Sequence, residues 1–291
     1  MALNILVTGA TGTIGHATIA ALGEHDARVA AYVRDPARAR AVLGPEIEMR
    51  TGDLADEAAL RQALAGIDAV LLASGNDPAL REIQLTAVRA IAAARVPRAV
   101  KISGSAVSIV HADRARTGAD HLAVEEALRA SGRETVAIRP NVFMQNFLDQ
   151  AIAIGHGALP GPDGDPRVSF IDGRDVGRVA AAALTAAARP DEILEVTGPE
   201  ALSWYDAADR MTAVLGRQVT HYPASPEVMG QGLRALGREE WQIEHALELS
   251  ALFGDPRAAV ITDTVARLTG AQPADLTDFL RRHAAELPPA A

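Results

Sequence analysis

The segment Leu3-Asn4-Ile5-Leu6-Val7-Thr8-Gly9-Ala10-Thr11-Gly12-Thr13-Ile14-Gly15 constrains this chain more than any other. Its apolar first half suits a buried parallel strand. Three glycines at spacing three follow, and His16-Ala17-Thr18-Ile19-Ala20-Ala21-Leu22 then opens with helical periodicity. Gly9 permits a tight turn, Gly12 lets backbone approach a ligand, and Gly15 lets the helix press on the strand. The N–H groups at the helix start would face an anion along the helix dipole, so the motif implies a bound dinucleotide pyrophosphate.

The alternation continues. Apolar runs at 5–8, 28–33, 47–50, 69–73, 99–102 and 136–139 are separated mostly by helical segments, which demands right-handed crossovers and a parallel sheet. Asp35-Pro36 supplies a cap and a first-turn proline for one helix, and Asp56-Glu57 opens another that Gly66 closes. From Phe143 the pattern loosens into Gly- and Pro-rich loops. Helices are predicted over Val176–Ala188, Ser203–Leu215, Ser225–Leu236, Glu239–Phe253 and Asp275–Ala285. Short strands near Val168–Ile171, Ile193–Val196 and Val219–Tyr222 are expected to extend the sheet edge. The predicted fold is α/β, a Rossmann-type doubly wound parallel sheet with a smaller, mainly helical C-terminal lobe. Residues 1–155 form the nucleotide-binding domain. Residues 156–291 form a substrate-binding lobe, with strands partly returning to the main sheet, over the open end where ligands bind.

Composition narrows the function. A net charge of −9 argues against a nucleic-acid surface. The absence of cysteine excludes disulfides and thiolate chemistry. Val179–Ala188 is the longest apolar stretch and too short to span a bilayer. With a core strand so near the start, no signal peptide is expected and a cytoplasmic protein is. No metal site is expected, since His111, His156, His221 and His245 lack ligand spacing, and no serine sits in a nucleophile elbow. The expected partner is a small-molecule substrate, and a homodimer is left open.

At the end of the second strand, where an acidic residue would hold a ribose 2′-hydroxyl, stands Arg34. Its guanidinium suits a 2′-phosphate, and Arg38 one turn on adds a second contact. The alternative is that Arg34 faces solvent and Asp35 takes the ribose. NADP (NADPH) is therefore placed ahead of NAD. Thr11, Thr13 and Ile14 join the three glycines at the phosphates. Asp53 can accept from the adenine amino group while Leu54 packs on the ring, and Ala73-Ser74-Gly75 allows close passage of the cofactor. Lys101 and Ser103 end the fifth strand near the expected nicotinamide. Pro140, Asn141 and Phe143 follow the sixth, where nicotinamide and substrate would meet. Met144, Phe147, Trp204, Met229 and Trp241 are candidates for an apolar substrate wall, each also typical of plain core.

These segments, together with Val124–Gly132, Ile138–Asn146, Asp172–Val176, Thr197–Ser203 and Thr262–Gly270, resemble the short-chain dehydrogenase/reductase superfamily in its NmrA-like branch. The resemblance covers nearly the whole chain. It implies either an NADPH-dependent quinone reductase or a catalytically silent NADP sensor. Standard superfamily enzymes carry a Tyr-x-x-x-Lys pair. Counting back from Glu125 puts His121 at the lysine position and Thr117 at the tyrosine position. Threonine cannot do a tyrosine's acid–base work near neutral pH, which argues against ordinary alcohol dehydrogenase chemistry. His121 could polarise a carbonyl, donate a proton or bind the nicotinamide ribose, or be a helix-face histidine bonded to backbone. The resemblance points Ser103 toward the cofactor and Ser105 toward substrate, and gives Asp172 and Asp175 a loop-fixing and capping role. The leading expectation is hydride transfer from NADPH to an apolar acceptor such as a quinone or polycyclic ketone. The alternatives are an NADP(H) sensor, and a ketone/alcohol oxidoreductase with His121 as acid and base.

Overall fold

The computed structural model describes residues 2–187 and 191–289. The first half of the nucleotide fold comprises β1 (Leu3–Val7), α1 (Thr13–Leu22), β2 (Ala27–Val33), α2 (Pro36–Leu43) and β3 (Glu48–Thr51). Next come α3 (Glu57–Ala63), β4 (Ala69–Leu72), α4 (Leu80–Ala94) and β5 (Arg98–Ile102). Two helices, α5 (Ala106–Val110) and α6 (Arg116–Ala130), lead to β6 (Glu134–Pro140). The strand order is β3-β2-β1-β4-β5-β6-β8, parallel throughout, where β8 is Glu192–Val196. Connectivity reverses between β1 and β4, so a crevice opens beyond their carboxyl ends. The four residues of β4, Ala-Val-Leu-Leu, are all buried, as a strand covered on both faces requires.

The remaining elements are α7 (Ala151–Gly155), β7 (Ala158–Pro162), α8 (Gly173–Thr185), α9 (Trp204–Leu215) and β9 (Thr220–Ala224). After them come α10 (Pro226–Ala235), α11 (Glu240–Leu252), α12 (Thr264–Thr269) and α13 (Leu276–Arg282). The two halves interleave. Val176, Val179, Ala180, Ala183 and Leu184 of α8 share one core with β1, α1 and β5, while β8 closes the edge beside β6. The crossing of α8 over α1 is very close, because a Cβ on Gly177 would lie 2.5 Å from Ala17 Cβ and 2.8 Å from Thr18 N. The rest of the second half gathers around its own core of Phe147, Phe170, Trp204, Met211, Phe279 and Leu280.

Two of the strands expected at the sheet edge go elsewhere. Residues 168–171 make only single bridges, from Val168 to Leu202 and from Ile171 to Phe143. β9 pairs with β7 in a separate two-stranded parallel sheet. Pro160, Pro162 and Pro223 lie in that ribbon, and a proline has no N–H for a second neighbour, so the pair cannot grow into a central sheet. The helix expected from Val176 starts earlier, at Gly173, because Asp172 caps it by accepting from Arg174 N. Its expected end, Ala188, lies outside the described residues. Among the described residues no helix is long and apolar enough to cross a membrane.

Candidate active site

The three glycines of the first turn do different jobs. Gly9 has φ +59°, and a Cβ there would sit 2.8 Å from the Ala73 carbonyl oxygen. A Cβ on Gly15 would sit 2.2 Å from the Gly9 carbonyl oxygen, so α1 can press on β1 only without one. A Cβ on Gly12 would meet only Gly9 O, at 3.3 Å, and would otherwise project into open space. Gly12 is also the N-cap of α1, which has no side-chain cap and no acid in its first turn. By contrast α2, α3 and α8 are capped by Asp35, Asp56 and Asp172. The first-turn N–H groups of α1 thus lack both an intrahelical and a side-chain acceptor, which is the donor set of an anion site.

That turn opens onto a cleft of about 800 Å³ spanning the carboxyl ends of six strands, from Gly52 after β3 to Phe143 after β6. Arg34 and Arg38 line it, exposed and without a carboxylate partner among the described residues. Asp35 is already engaged, since its Oδ1 accepts from Ala37 N and Arg38 N, each at 3.0 Å. Tyr32 donates to the Asp53 carbonyl oxygen at 3.1 Å and so holds the Gly52-Asp53 turn. Burial, reinforced by Asp56 and Asp53, pushes its phenol up to about 12.

Beside the cleft, α6 carries the positions where tyrosine and lysine would stand. Thr117 meets α11: Asn76 Nδ2 lies 3.1 Å from His245 Nε2 and can donate to it, which leaves His245 Nδ1–H to donate to Thr117 Oγ1 at 2.8 Å. His245 is held neutral below its ordinary range by burial and by Arg116. One turn on, His121 is buried and its Nδ1 lies 2.8 Å from Lys101 Nζ. Burial, then the charge of Lys101, then His245, hold this imidazole well below the ordinary histidine range. Burial brings Lys101 down to about 7, against the opposing charge of Glu125.

With the site drawn, the chain can be set beside known proteins. The model of the NmrA-like family matches residues 1–279. The chain belongs to the NmrA-like family. It is 32% identical to an NAD(P)H azoreductase of Xenophilus azovorans over 282 residues, 97% of this chain and 98% of that one. It is 34% identical to a (4-alkanoyl-5-oxo-2,5-dihydrofuran-3-yl)methyl phosphate reductase of Streptomyces griseus, over 98% and 99% of the two chains. Among solved structures, an NADPH-dependent quinone oxidoreductase from Escherichia coli complexed with NADPH matches with a TM-score of 0.86 and 26% identity. The match covers 96% of this chain and 99% of that one.

Most of the residues expected at the cofactor line the cleft of this NmrA-like chain: Gly9, Thr11–Gly15, Arg34, Arg38, Asp53, Leu54, Ala73–Gly75 and Phe143. Lys101, Ser103, Pro140 and Asn141 do not. The cause is strand parity. Ile102 lines the cleft, so Lys101 and Ser103 on either side of it point away, toward α6. Ser103 donates to Glu125 at 2.5 Å, and Glu125 pairs with Arg139 at 2.6 Å. Pro140 is buried at the end of β6. Asn141 Nδ2 donates instead to Ser169 Oγ and the Ala258 carbonyl, each at 2.7 Å. Ser105 is the cap of α5, accepting from Ser108 N at 3.3 Å.

The expected substrate wall also changes. Met144, Phe147 and Trp204 are buried together with Phe170 in the second core, with ring centroids 5.0 Å apart for Phe147–Phe170 and 5.3 Å for Phe170–Trp204. Met229 is half-buried on α10, off the cleft wall. Trp241 does stand nearby, in a recess with Arg116, Thr117, Asp120 and His245 that shares Asn76 and Asp77 with the cleft. Asp172 caps α8 and binds Gln145 and Arg282, while Asp175 accepts from Ala274 N at 2.7 Å and pairs with Arg178. Cleft residues that sequence reasoning passed over are Tyr32, Asn76, Asp77, Ile83, Ile102, Gln145, Asn146 and Asp149. Gln145 and Asn146 follow Phe143 closely enough to be found by extending the sixth strand's loop. The alternation of β2 would have found Tyr32.

Proposed function

We propose that this chain is an NAD(P)H-dependent reductase that prefers NADPH and delivers hydride to an apolar, planar acceptor such as a quinone or polycyclic ketone. The observation that carries the reading is the bare N-terminus of α1, uncapped and lined by Gly12, opening on a cleft with two arginines that have no carboxylate partner among the described residues. The absence of a Cβ at Gly12 leaves room for a pyrophosphate against the first-turn N–H groups, and Arg34 with Arg38 matches the charge of a 2′-phosphate. The Gly52–Leu54 turn, braced by Tyr32, would receive the adenine, and Phe143 the nicotinamide end. When bound, the dihydronicotinamide supplies the hydride. The protein's part is to hold donor and acceptor face to face, and proximity then supplies most of the rate. Relatives named as an NAD(P)H azoreductase and a quinone oxidoreductase support this class of chemistry. The reading carries with it a cytoplasmic location, where reduced nicotinamide dinucleotides are held. Light scattering checks whether the chain pairs with a second copy, the option that the sequence leaves open.

The test joins calorimetric titration with NADPH and NADH to an oxidation assay over quinones, azo dyes and cyclic ketones. Tighter binding of NADPH and turnover of at least one acceptor class are expected. Binding without turnover of any acceptor would replace the reductase by a sensor, and no binding would overturn the cofactor reading itself.

A further inference from the structure

Lys101 is the single lysine of the chain, and its side chain is fully buried. Burying an ammonium is costly, and such groups ordinarily keep a carboxylate in direct contact. Lys101 has none among the described residues. Glu125, the carboxylate that faces it from α6, is bound by Ser103 at 2.5 Å and by Arg139 of β6 at 2.6 and 3.0 Å. What Nζ touches is the Ile102 carbonyl at 3.1 Å and His121 Nδ1 at 2.8 Å. From β4 its neighbour is the apolar Leu72. From α11, His245 acts on His121.

An ammonium donating to Nδ1 fixes the neutral imidazole with its proton on Nε2. Among the described residues His121 Nε2 has no hydrogen-bond partner, yet it is not one of their fully buried unpaired polar atoms. With Lys101 at 0% and His121 at 7% exposure, the pair meets solvent through the imidazole edge alone, although the ring lines neither the cleft nor the recess beside it. The ring edge lies under Gly104, whose Cβ would be 3.0 Å from His121 Cδ2, just beyond the carboxyl end of β5. A purely structural role at position 101 would be served better by Leu or Met.

We propose that Lys101 and His121 form a proton relay, with Lys101 as reservoir and positioning residue and His121 Nε2 as the outlet toward the acceptor. The inference rests on the reductase reading. An acceptor that has taken hydride is reduced by two electrons and carries a new oxyanion. The Nε2–H bond breaks as an O–H bond forms, while an Nζ–H bond breaks as an Nδ1–H bond forms. The imidazole remains neutral and has changed tautomer, and Lys101 is left as a neutral amine whose lone pair accepts from Nδ1–H. A solvent proton returns through Nε2 and resets the pair. Release from an ordinary ammonium would be too uphill near neutral pH, whereas burial has brought this one down to about 7.

The single lysine makes the test direct, because protein labelled with [13Cε]lysine gives one side-chain resonance. In the wild-type protein without cofactor, that resonance should titrate near pH 7. The His121 ring nitrogens, followed by 15N NMR, should switch tautomer across the same midpoint. A lysine midpoint above about 9.5, near the ordinary lysine range, or a His121 tautomer unchanged through the titration, overturns the relay. With an acceptor found, Lys101→Met should lower kcat by about tenfold to a hundredfold, leave KM within about twofold, and erase the inflection near neutral pH. Lys101→Arg should not rescue, since a guanidinium can position the ring but cannot release a proton. Full activity in Lys101→Arg would also overturn it. If no acceptor is reduced, the reductase reading falls, and the NMR titration still decides whether the pair holds one mobile proton.

Discussion

Arg34 and Lys101 mark the two extremes of what single residues reveal. Arg34 stands at the end of a strand whose partner turn is set by the glycines, so its place on the cleft wall could be read directly. Its substitution by alanine should weaken NADPH binding by roughly ten- to a hundredfold, the worth of one charge-assisted pair, with little change for NADH. Calorimetry with both nucleotides checks this, and equal losses would remove Arg34 from the 2′-phosphate. The direction of the Lys101 side chain was not legible, because nearness to a strand's carboxyl end does not say which face a side chain takes. Its burial has a thermodynamic signature. Between about pH 7 and the ordinary lysine value of 10.5, unfolded chains hold a proton that the folded protein has released. Stability therefore rises with pH across that window, and the gain is lost progressively as pH falls from 10.5 to about 7. The full contribution is on the order of 5 kcal/mol. Chemical denaturation of wild type and Lys101→Met at pH 7 and pH 9 should show the rise in the first and its absence in the second.

At the level of elements, the first strand–turn–helix was legible down to the space around each glycine, because a tight turn leaves so few solutions. Two substitutions separate Gly12 from Gly15. Gly12→Val should abolish NADPH binding at micromolar cofactor while far-UV circular dichroism stays near wild type, because the new side chain enters the cleft. Gly15→Val drives its Cβ into the Gly9 carbonyl and should cost about 2 kcal/mol or more of stability, seen as a lower melting temperature. Retained binding in a folded Gly12→Val protein would leave the turn a purely structural one. The destinations of the later strands were less legible. β8 and β9 are both five residues long, and what sends one to the main sheet and the other to β7 is the set of neighbours each meets. That interleaving has a testable result. A fragment of residues 1–155 lacks α8 over α1 and β8 beside β6, so it should show no cooperative thermal transition.

For the molecule as a whole, the charge balance was plain from composition, and the fold shows where the exceptions sit. A chain with net charge −9 keeps two arginines, Arg34 and Arg38, without a carboxylate partner among the described residues at the mouth of its cleft, a local positive field in a negative protein. NADPH affinity should accordingly fall as salt rises from about 0.01 M to 1 M, where the screening length shrinks from roughly 30 Å to 3 Å. An affinity indifferent to salt would argue against that field. The fully buried lysine has a further consequence, for handling the protein. Folded molecules display no side-chain amine, so succinimidyl esters, glutaraldehyde and reducing sugars find nothing on the surface to modify beyond the chain terminus. Only a copy that opens exposes the ε-amine. The extent of amine tagging at residue 101 thus counts unfolding events, and this protein carries its own reporter of them.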